Sequence, residues 1–362
     1  MSAVEKYALI TGGAGFIGTN LARRLMSEGK PVLVYDNLSR PGVEKNLAWL
    51  RDKHGLRLLI DIADVRDPFS LKKAVKGAGS VYHLAAQVAV TTSMTDPVSD
   101  FEVNARGTLN LLEALRSMKT PPPLIFTSTN KTYGDLRDIT IRSNTTRYEV
   151  DDPGLGAYGI GEDRSIELHS PYGCSKGAAD QYVLDYARSF GIRAAVFRMS
   201  CIYGPHQFGT EDQGWVAHFL ISSIEDKPII IYGDGMQVRD VLFVDDLIGA
   251  FLLAMDNIDS VSGHAFNIGG GPENTTSLLE LLNMIENLHG KRPELRFDAW
   301  RAGDQRYYVS DLRKFKTFTG WTQKVSFGEG VRVLYEWLLE TRGASQLEAS
   351  QSEQATAAKE AL

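Results

Sequence analysis

The chain has 362 residues, 43 % of them hydrophobic and 23 % charged, with a formal net charge of −6. That composition belongs to a globular protein with enough length for one large or two smaller cores, and its acidic balance argues against nucleic acid or an anionic membrane surface as partner. No apolar run reaches the ~20 residues of a membrane-spanning helix, the first strand leaves no room for a signal peptide, and the two cysteines, Cys174 and Cys201, do not make a disulfide framework. A cytoplasmic protein is expected. The histidines at 54, 83, 169, 206, 218, 264 and 289 show no ligand spacing, so no metal site is expected.

Tyr7 to Ile10 reads as a buried strand. Glycines follow at 12, 15 and 18, and Phe16, Ile17, Leu21 and Leu25 then recur at helical spacing. A strand, a glycine turn and a helix in that order predict a dinucleotide cradle. Glycine lets backbone approach a pyrophosphate, and the helix N-terminus offers free N–H groups to the anion. The next strand, Pro31 to Tyr35, ends in Asp36, 18 residues past Gly18. That is close to the separation of about 20 at which an acid accepts a ribose hydroxyl. Such a carboxylate repels a 2′-phosphate, and Asn37-Leu38-Ser39 intervene before Arg40, so NAD is expected rather than NADP. A glycine-rich turn without a ligand is the plainer alternative.

Strand-like runs at Leu56–Ile62, Ser80–Leu84, Leu124–Thr127 and Ala194–Arg198 alternate with helical periodicity at Phe69–Val75, Val103–Met118 and Cys174–Phe190. This predicts an α/β protein with a Rossmann-type doubly wound parallel sheet, whose ligands bind at the carboxyl ends of the strands. After about residue 200 the pattern changes to a smaller, interleaved C-terminal lobe, with a strand at Ile229–Tyr232 and helices near 215–223, 277–289 and 328–340. The expected division is a dinucleotide-binding domain over 1–200, to which 240–268 returns, and a substrate-binding lobe over 201–239 and 269–342. Residues 343–362 are expected to be a disordered tail, and the polar stretch 135–169 a lid or substrate loop.

Tyr172 and Lys176 are spaced i, i+4, on one face of a helix. A phenol with an ordinary pKa of about 10 is a poor base at neutrality. A neighbouring ammonium and a cationic nicotinamide both favour the phenolate. Thr129, at the end of the strand Leu124–Thr127, places a hydroxyl near the same point. Alone, each has a plain reading: a surface tyrosine over a lysine stem, and a polar strand-end turn.

These pieces together resemble the extended short-chain dehydrogenase/reductases that act on nucleotide sugars. The resemblance runs from about residue 7 to 340 through Thr11–Gly18, Asp36-Asn37-Leu38, Asp64-Val65, His83–Ala86, Thr127–Gly134, Ser170–Lys176, Tyr203-Gly204-Pro205, Arg239-Asp240-Val241, Asn267-Ile268-Gly269 and Arg301–Asp304. It implies Tyr172 as acid–base, Thr129 beside it and Lys176 as cofactor anchor. It implies cofactor contacts from Gly12, Gly15, Phe16, Ile17, Gly18, Asp36, Asn37, Ser39, Arg40, Asp64, Val65, Leu84, Ala85, Ala86, Gln87, Asn104 and Thr127. Substrate contacts are implied for Gln87, Thr129, Asn130, Arg239, Arg301 and Asp304, the two arginines on a diphosphate, a bidentate anion that guanidinium suits. Each arginine taken alone reads as a surface ion pair. A homodimer or homotetramer is implied, pairing through the helices at Val103–Met118 and Cys174–Phe190.

Within the family, the 4,6-dehydratases carry Asp-Glu after the Thr129 position, whereas this chain has Asn130-Lys131, so dehydration is disfavoured. The segments Ser128–Lys131, His169–Asp180, Asp212–Val216 and Gly235–Val241, with the long 135–169 stretch, resemble the CDP-tyvelose (CDP-paratose) 2-epimerases. That implies a CDP-linked hexose inverted at C2. The alternatives are a 4-epimerase of nucleotide hexoses, a 2-epimerase of CDP-glucose, and a non-catalytic dinucleotide-binding protein. Many relatives carry Asn where Cys201 stands, so a sugar pose taken from the 4-epimerases does not transfer.

Overall fold

A computed structural model describes residues 6–301 and 303–342; the tail from Gly343 lies outside the described residues. Seven parallel strands form one sheet in the order Ala265–Ile268, Ala194–Met199, Leu124–Thr129, Ala78–His83, Tyr7–Thr11, Val32–Asp36, Leu58–Ile62. The sequence progression reverses beside Tyr7–Thr11, and a crevice at such a switch point, at the strands' carboxyl ends, is where ligands bind in these sheets. Thr11, Asp36, His83 and Thr129 all end their strands there.

Most inner strands are apolar without alternation because both sheet faces are covered there, whereas the edge strand Leu58–Ile62 leaves Leu59 and Ile62 exposed. Phe16–Ser27, Val43–His54 and Val244–Asp256 bury Leu21, Leu47 and Leu247 on one face. Pro68–Lys76, Gly107–Arg116 and Ser170–Phe190 bury Leu71, Leu111 and Val183 on the other. The long helix Ser170–Phe190 begins with proline in its first turn and stops at Gly191, whose left-handed φ of 66° ends it. The smaller lobe has its own core around Phe219, Leu220, Ile231, Leu281 and Leu334, and a four-stranded sheet built on Val238–Phe243.

Several expectations move. Val238–Phe243 pairs with Cys201–Tyr203, Thr275–Ser277 and Tyr307–Tyr308, so residues 240–243 belong to the lobe's sheet rather than to the large one. Phe315 and Trp321, expected in the lobe, pack instead into the large core. The helix Val43–His54 adds an element whose weak apolar stripe gives little sequence signal. The helix expected from Val103 opens with a π-turn over Glu102–Arg106. The 135–169 stretch is not a free lid. It forms a hairpin, Ile141–Ser143 with Tyr148–Val150, and a short helix, Pro153–Tyr158. The Ile160 N–H donates to the Val309 carbonyl at 2.7 Å and the Asp311 N–H to the Ile160 carbonyl at 2.9 Å.

A buried polar network pins the long helix to the sheet. Arg198 on the strand Ala194–Met199 meets Asp180 on the helix in a bidentate pair, Nε to Oδ2 and Nη2 to Oδ1, both at 2.9 Å. The side chains are 5 % and 0 % exposed. Arg198 Nη1 donates to the Tyr133 hydroxyl at 3.0 Å, Tyr133 donates to Asn267 Oδ1 at 2.8 Å, and Asn267 Nδ2 donates to the Ile160 carbonyl at 2.8 Å. Breaking a buried pair leaves an uncompensated charge, so Asp180→Asn should cost about 3–5 kcal/mol, read as a lowered urea midpoint of the full chain.

His83 lies fully buried between Thr11 Oγ1, 2.6 Å from Nδ1, and Thr108 Oγ1, 3.0 Å from Nε2. Burial, then the Lys176 charge, pushes its pKa down to about 3. The unfolded chain takes up this proton near pH 6.5 and the folded one does not. Stability should therefore fall as the pH drops from about 6.5 towards 3, by about 1.4 kcal/mol per pH unit. A His83→Gln variant should lose that part of the slope between pH 6.5 and 5 in thermal melts.

Candidate active site

The glycine turn is shaped by the space it must leave. Gly12 has φ 70°, and a Cβ there would sit 2.8 Å from the Ala85 nitrogen. A Cβ on Gly18 would strike the Gly12 carbonyl oxygen, so the helix and turn touch backbone to backbone. Gly15 precedes the helix Phe16–Ser27 with no side-chain cap, and the first turn, with Phe16 and Ile17, holds no acid. Its N–H groups are left for an anion.

Asp36 is aimed at this turn. Its Oδ2 accepts the Ala14 N–H at 3.0 Å and its Oδ1 the Leu38 N–H at 2.9 Å. Burial raises its pKa and these backbone donors oppose that. The loop after it is tied to the next strand end: Ser39 N–H donates to Asn37 Oδ1 at 3.1 Å, and Asn37 Nδ2 to Asp64 Oδ2 at 2.8 Å. Arg66 holds the Asp64 carboxyl down at about 2. Val65 is buried beside it, and its carbonyl accepts from Asn110. A cradle that any Cβ would fill, an uncapped helix start and a carboxylate at the second strand end fit a dinucleotide with a free ribose hydroxyl.

The loop Leu84-Ala85-Ala86-Gln87 hangs on Thr11 through the Leu84 N–H at 3.0 Å. Two residues expected to touch the cofactor make bonds within the protein here. The Asn104 side chain accepts from the Gln87 N–H at 2.9 Å and donates to the Gln87 carbonyl at 3.0 Å and Ser175 Oγ at 3.1 Å. It is a clamp between this loop and the Tyr172 helix, presented by the π-turn. The Gln87 amide turns back on its own chain, Nε2 to the Ala89 carbonyl at 2.8 Å.

Tyr172 and Lys176 share one buried face, 9 % and 3 % exposed. Lys176 Nζ donates to the Thr127 carbonyl at 2.6 Å and lies 4.5 Å from the centre of the Phe126 ring. Burial lowers its pKa to about 8, against the pull of Asp180 and Asp100. Burial raises the Tyr172 phenol to about 12. A hydrogen bond with Thr129 and the charge of Arg40 pull it down, while Asp100 pushes it up. Thr129, at the strand end, also accepts the Lys131 N–H at 3.2 Å. The three expected catalytic side chains therefore converge, with Arg40 within electrostatic reach. Sequence reasoning missed the supports beneath them: Ser93 Oγ accepts the Tyr172 N–H at 3.1 Å, and Ser175 Oγ donates to Asp100. No sequence spacing marks either contact.

On the lobe side, Arg239 Nη2 donates to Asp304 Oδ1 at 2.7 Å and Nη1 to the Val238 carbonyl at 2.8 Å. Asn130 Nδ2 donates to Gln305 Oε1 at 3.2 Å. Arg301 does not join this group directly. It pairs with Glu211, Nη2 to Oε1 at 3.2 Å, and lies 3.9 Å from the Tyr232 ring centre. Asp304, the partner of Arg239, stands three residues past Arg301 in the sequence. A cavity of about 1000 Å³ opens alongside, reaching the site at Ser170 and Gly303. Asp135, Asp138, Asp163 and Glu167 line it beside the basic side chains Arg137, Arg164 and His169, an acidic excess that suits a dianionic diphosphate poorly.

A parallel sheet with a dinucleotide cradle, and a Tyr/Lys/Thr cluster with Arg239 and Arg301 on the lobe side, fit an oxidoreductase-type site for an alcohol. The chain belongs to the NAD dependent epimerase/dehydratase family, which it matches over residues 8–269. The CDP-paratose 2-epimerase of Salmonella typhi is 44 % identical over 339 residues, 91 % of this chain and 98 % of that protein. The UDP-glucose 4-epimerase of Thermotoga maritima, solved with UDP-glucose, superposes with a TM-score of 0.78 at 31 % identity, covering 92 % of this chain and 99 % of its own. The UDP-glucuronic acid 4-epimerase of Bacillus cereus, solved with UDP-glucuronic acid and NAD, gives 0.79 at 28 % identity with the same coverage.

Replacing Tyr172 by Phe removes one hydroxyl from a packed site. Turnover should fall by about 10²–10⁴-fold, while bound dinucleotide, read by absorbance after denaturation, stays at the wild-type amount. Unchanged turnover would refute the acid–base role.

Proposed function

We propose that this protein inverts C2 of a CDP-linked hexose, the CDP-paratose/CDP-tyvelose pair, by oxidising and re-reducing one carbon with NAD. The observation that carries the reading is the strand end. Thr129 stands beside Tyr172, and the next two residues are Asn130 and Lys131, so no carboxylic acid is there to expel a hydroxyl. The same reaction is named for the Salmonella typhi relative, similar over nearly the whole of both chains.

Bound NAD supplies the hydride acceptor and returns the hydride. The Gly12–Gly18 turn, the open start of the helix Phe16–Ser27 and Asp36 would hold its diphosphate and ribose, with Asp64 and Val65 beside the adenine. Lys176, whose Nζ donates to the Thr127 carbonyl, would anchor the ribose. Tyr172 takes the proton from the C2 hydroxyl, which Thr129 orients, and returns it once the opposite face of the 2-keto sugar has been presented. A phenol that burial raises to about 12 is a weak acid in the protein alone, and added positive charge favours its phenolate. Proton abstraction is thereby tied to the oxidised cofactor. Arg239 and Arg301 would fix the diphosphate while the sugar turns.

We further propose a homodimer or homotetramer. Val98, Phe101, Tyr182 and Phe190, on or beside the helices expected to pair, are exposed large apolar side chains. No helix among the described residues is long and apolar enough to cross a membrane. With both cysteines unpaired, a reducing cytoplasmic location is proposed. A 4-epimerase is the second reading, favoured by the two solved neighbours.

Incubation with CDP-paratose should change the proton coupling between C1 and C2 in NMR spectra as the epimer accumulates, with C4 unchanged. Inversion at C4 with C2 intact, on CDP- or UDP-hexoses, would overturn the proposal.

A further inference from the structure

Lys131 has no part in the mechanism above, yet it spans the two halves of the site. Its backbone N–H donates to Thr129 Oγ1 at 3.2 Å. Its Nζ donates to the Gly303 carbonyl at 3.2 Å and lies 3.5 Å from Asp304 Oδ1. That is the carboxylate oxygen to which Arg239 donates at 2.7 Å. Two basic side chains thus share one carboxylate, with the three side chains only 21 %, 9 % and 23 % exposed for Lys131, Arg239 and Asp304; burial lowers the Lys131 pKa, and the Asp304 charge opposes that. The nearby Cys201 thiol does not balance them, because burial raises its pKa and leaves it neutral. A mostly buried cluster with an excess positive charge calls for an anion. The neighbouring cavity, lined by carboxylates, does not compete for it.

The place of this charge matters more than its sign. In a hexose carried on a diphosphate, C2 is bonded to the anomeric carbon, whereas C4 lies across the ring. Presenting C2 to Thr129 and Tyr172 therefore brings the inner phosphate close to the strand end. Presenting C4 keeps it on the far side. A cation two residues past Thr129 supports the first arrangement and adds nothing to the second.

We propose that Lys131 determines which carbon reacts: with Arg239 it holds the phosphate next to the anomeric oxygen, drawing that end of the sugar to the strand end so that C2 faces Tyr172. This rests on the C2 reading proposed above. Lys131 binds the carrier group and exchanges no proton with the sugar.

The test uses the NAD-loaded full-length protein. CDP alone is titrated calorimetrically, and C2 inversion of CDP-paratose is followed by NMR, for wild type, Lys131→Met, Lys131→Gln and Lys131→Arg. Methionine keeps the length of the side chain and removes the charge. CDP should bind Lys131→Met and Lys131→Gln about 30-fold or more weakly, as for loss of one partner of a desolvated charge pair, with kcat/KM for C2 inversion falling alongside. Lys131→Arg should recover most of the CDP affinity. If Lys131→Met fails to retain NAD, the Gln and Arg variants decide. CDP affinity and C2 rate close to wild type in a folded, uncharged variant would overturn the proposal. So would a folded Lys131→Arg protein that binds CDP no better than the Gln variant, since shape rather than charge would then be responsible. Wild-type protein that inverts C4 would instead overturn the C2 reading, a separate result.

Discussion

The buried pair between Asp180 and Arg198 is the constraint on which the site depends. It fixes the long helix carrying Tyr172 and Lys176 against the strand beside the one that ends in Thr129. Packing alone permits a helix to slide or roll on a sheet by fractions of an ångström, whereas a bidentate guanidinium–carboxylate pair has one geometry. The network does not stop there. Through Tyr133 and Asn267 it reaches the neighbouring strand and the 135–169 insertion, so helix, sheet and insertion share one set of buried donors and acceptors. Asp180 also favours the charged form of Lys176 against its own burial. The same carboxylate thus holds the helix and the charge it carries.

The cofactor side follows a different rule, in which absent atoms do the shaping. Gly12 and Gly18 are excluded from bearing side chains by backbone pressed against them, and the open helix start is left without a cap. The loop from Leu84 to Gln87 is held from behind by Asn104, whose amide bridges it to Ser175. Cofactor cradle and catalytic helix are therefore set relative to each other by a residue that spends its polar atoms on the protein. A π-turn at that residue fits the use of such turns where a side chain must be presented out of helical phase.

Much of this was legible in the sequence where function depends on short-range spacing. The glycine turn, Asp36 after the second strand, and the i, i+4 pair Tyr172/Lys176 are local patterns, and the sheet's apolar runs give the fold class. What the sequence hid depends on partners far along the chain. Asp180 and Arg198 stand 18 residues apart, and nothing in either neighbourhood says that they meet. Asn104 and Gln87 fall where a cofactor contact is expected, yet the Asn104 amide bonds the Gln87 backbone 17 residues away and the Gln87 amide bonds Ala89. Arg301 and Arg239 are alike by type, but Arg301 bonds Glu211, 90 residues distant, in this structure. The 135–169 stretch looked loose because its anchors, Val309 and Asp311, lie on a different part of the chain.

Those anchors bear on how the enzyme can move. The insertion joins the strand end of Thr129 to the start of the Tyr172 helix, and between those points it is sewn through Ile160 to the stretch 309–311 beside the lobe strand Tyr307–Tyr308. A swing of the lobe would therefore drag on the segment that leads into the catalytic helix. The two walls of the cleft are thus tied to each other by backbone hydrogen bonds at Ile160. In a reaction that must show both faces of one carbon to a single hydride position, a sugar that turned about its phosphate tether would leave that seam intact.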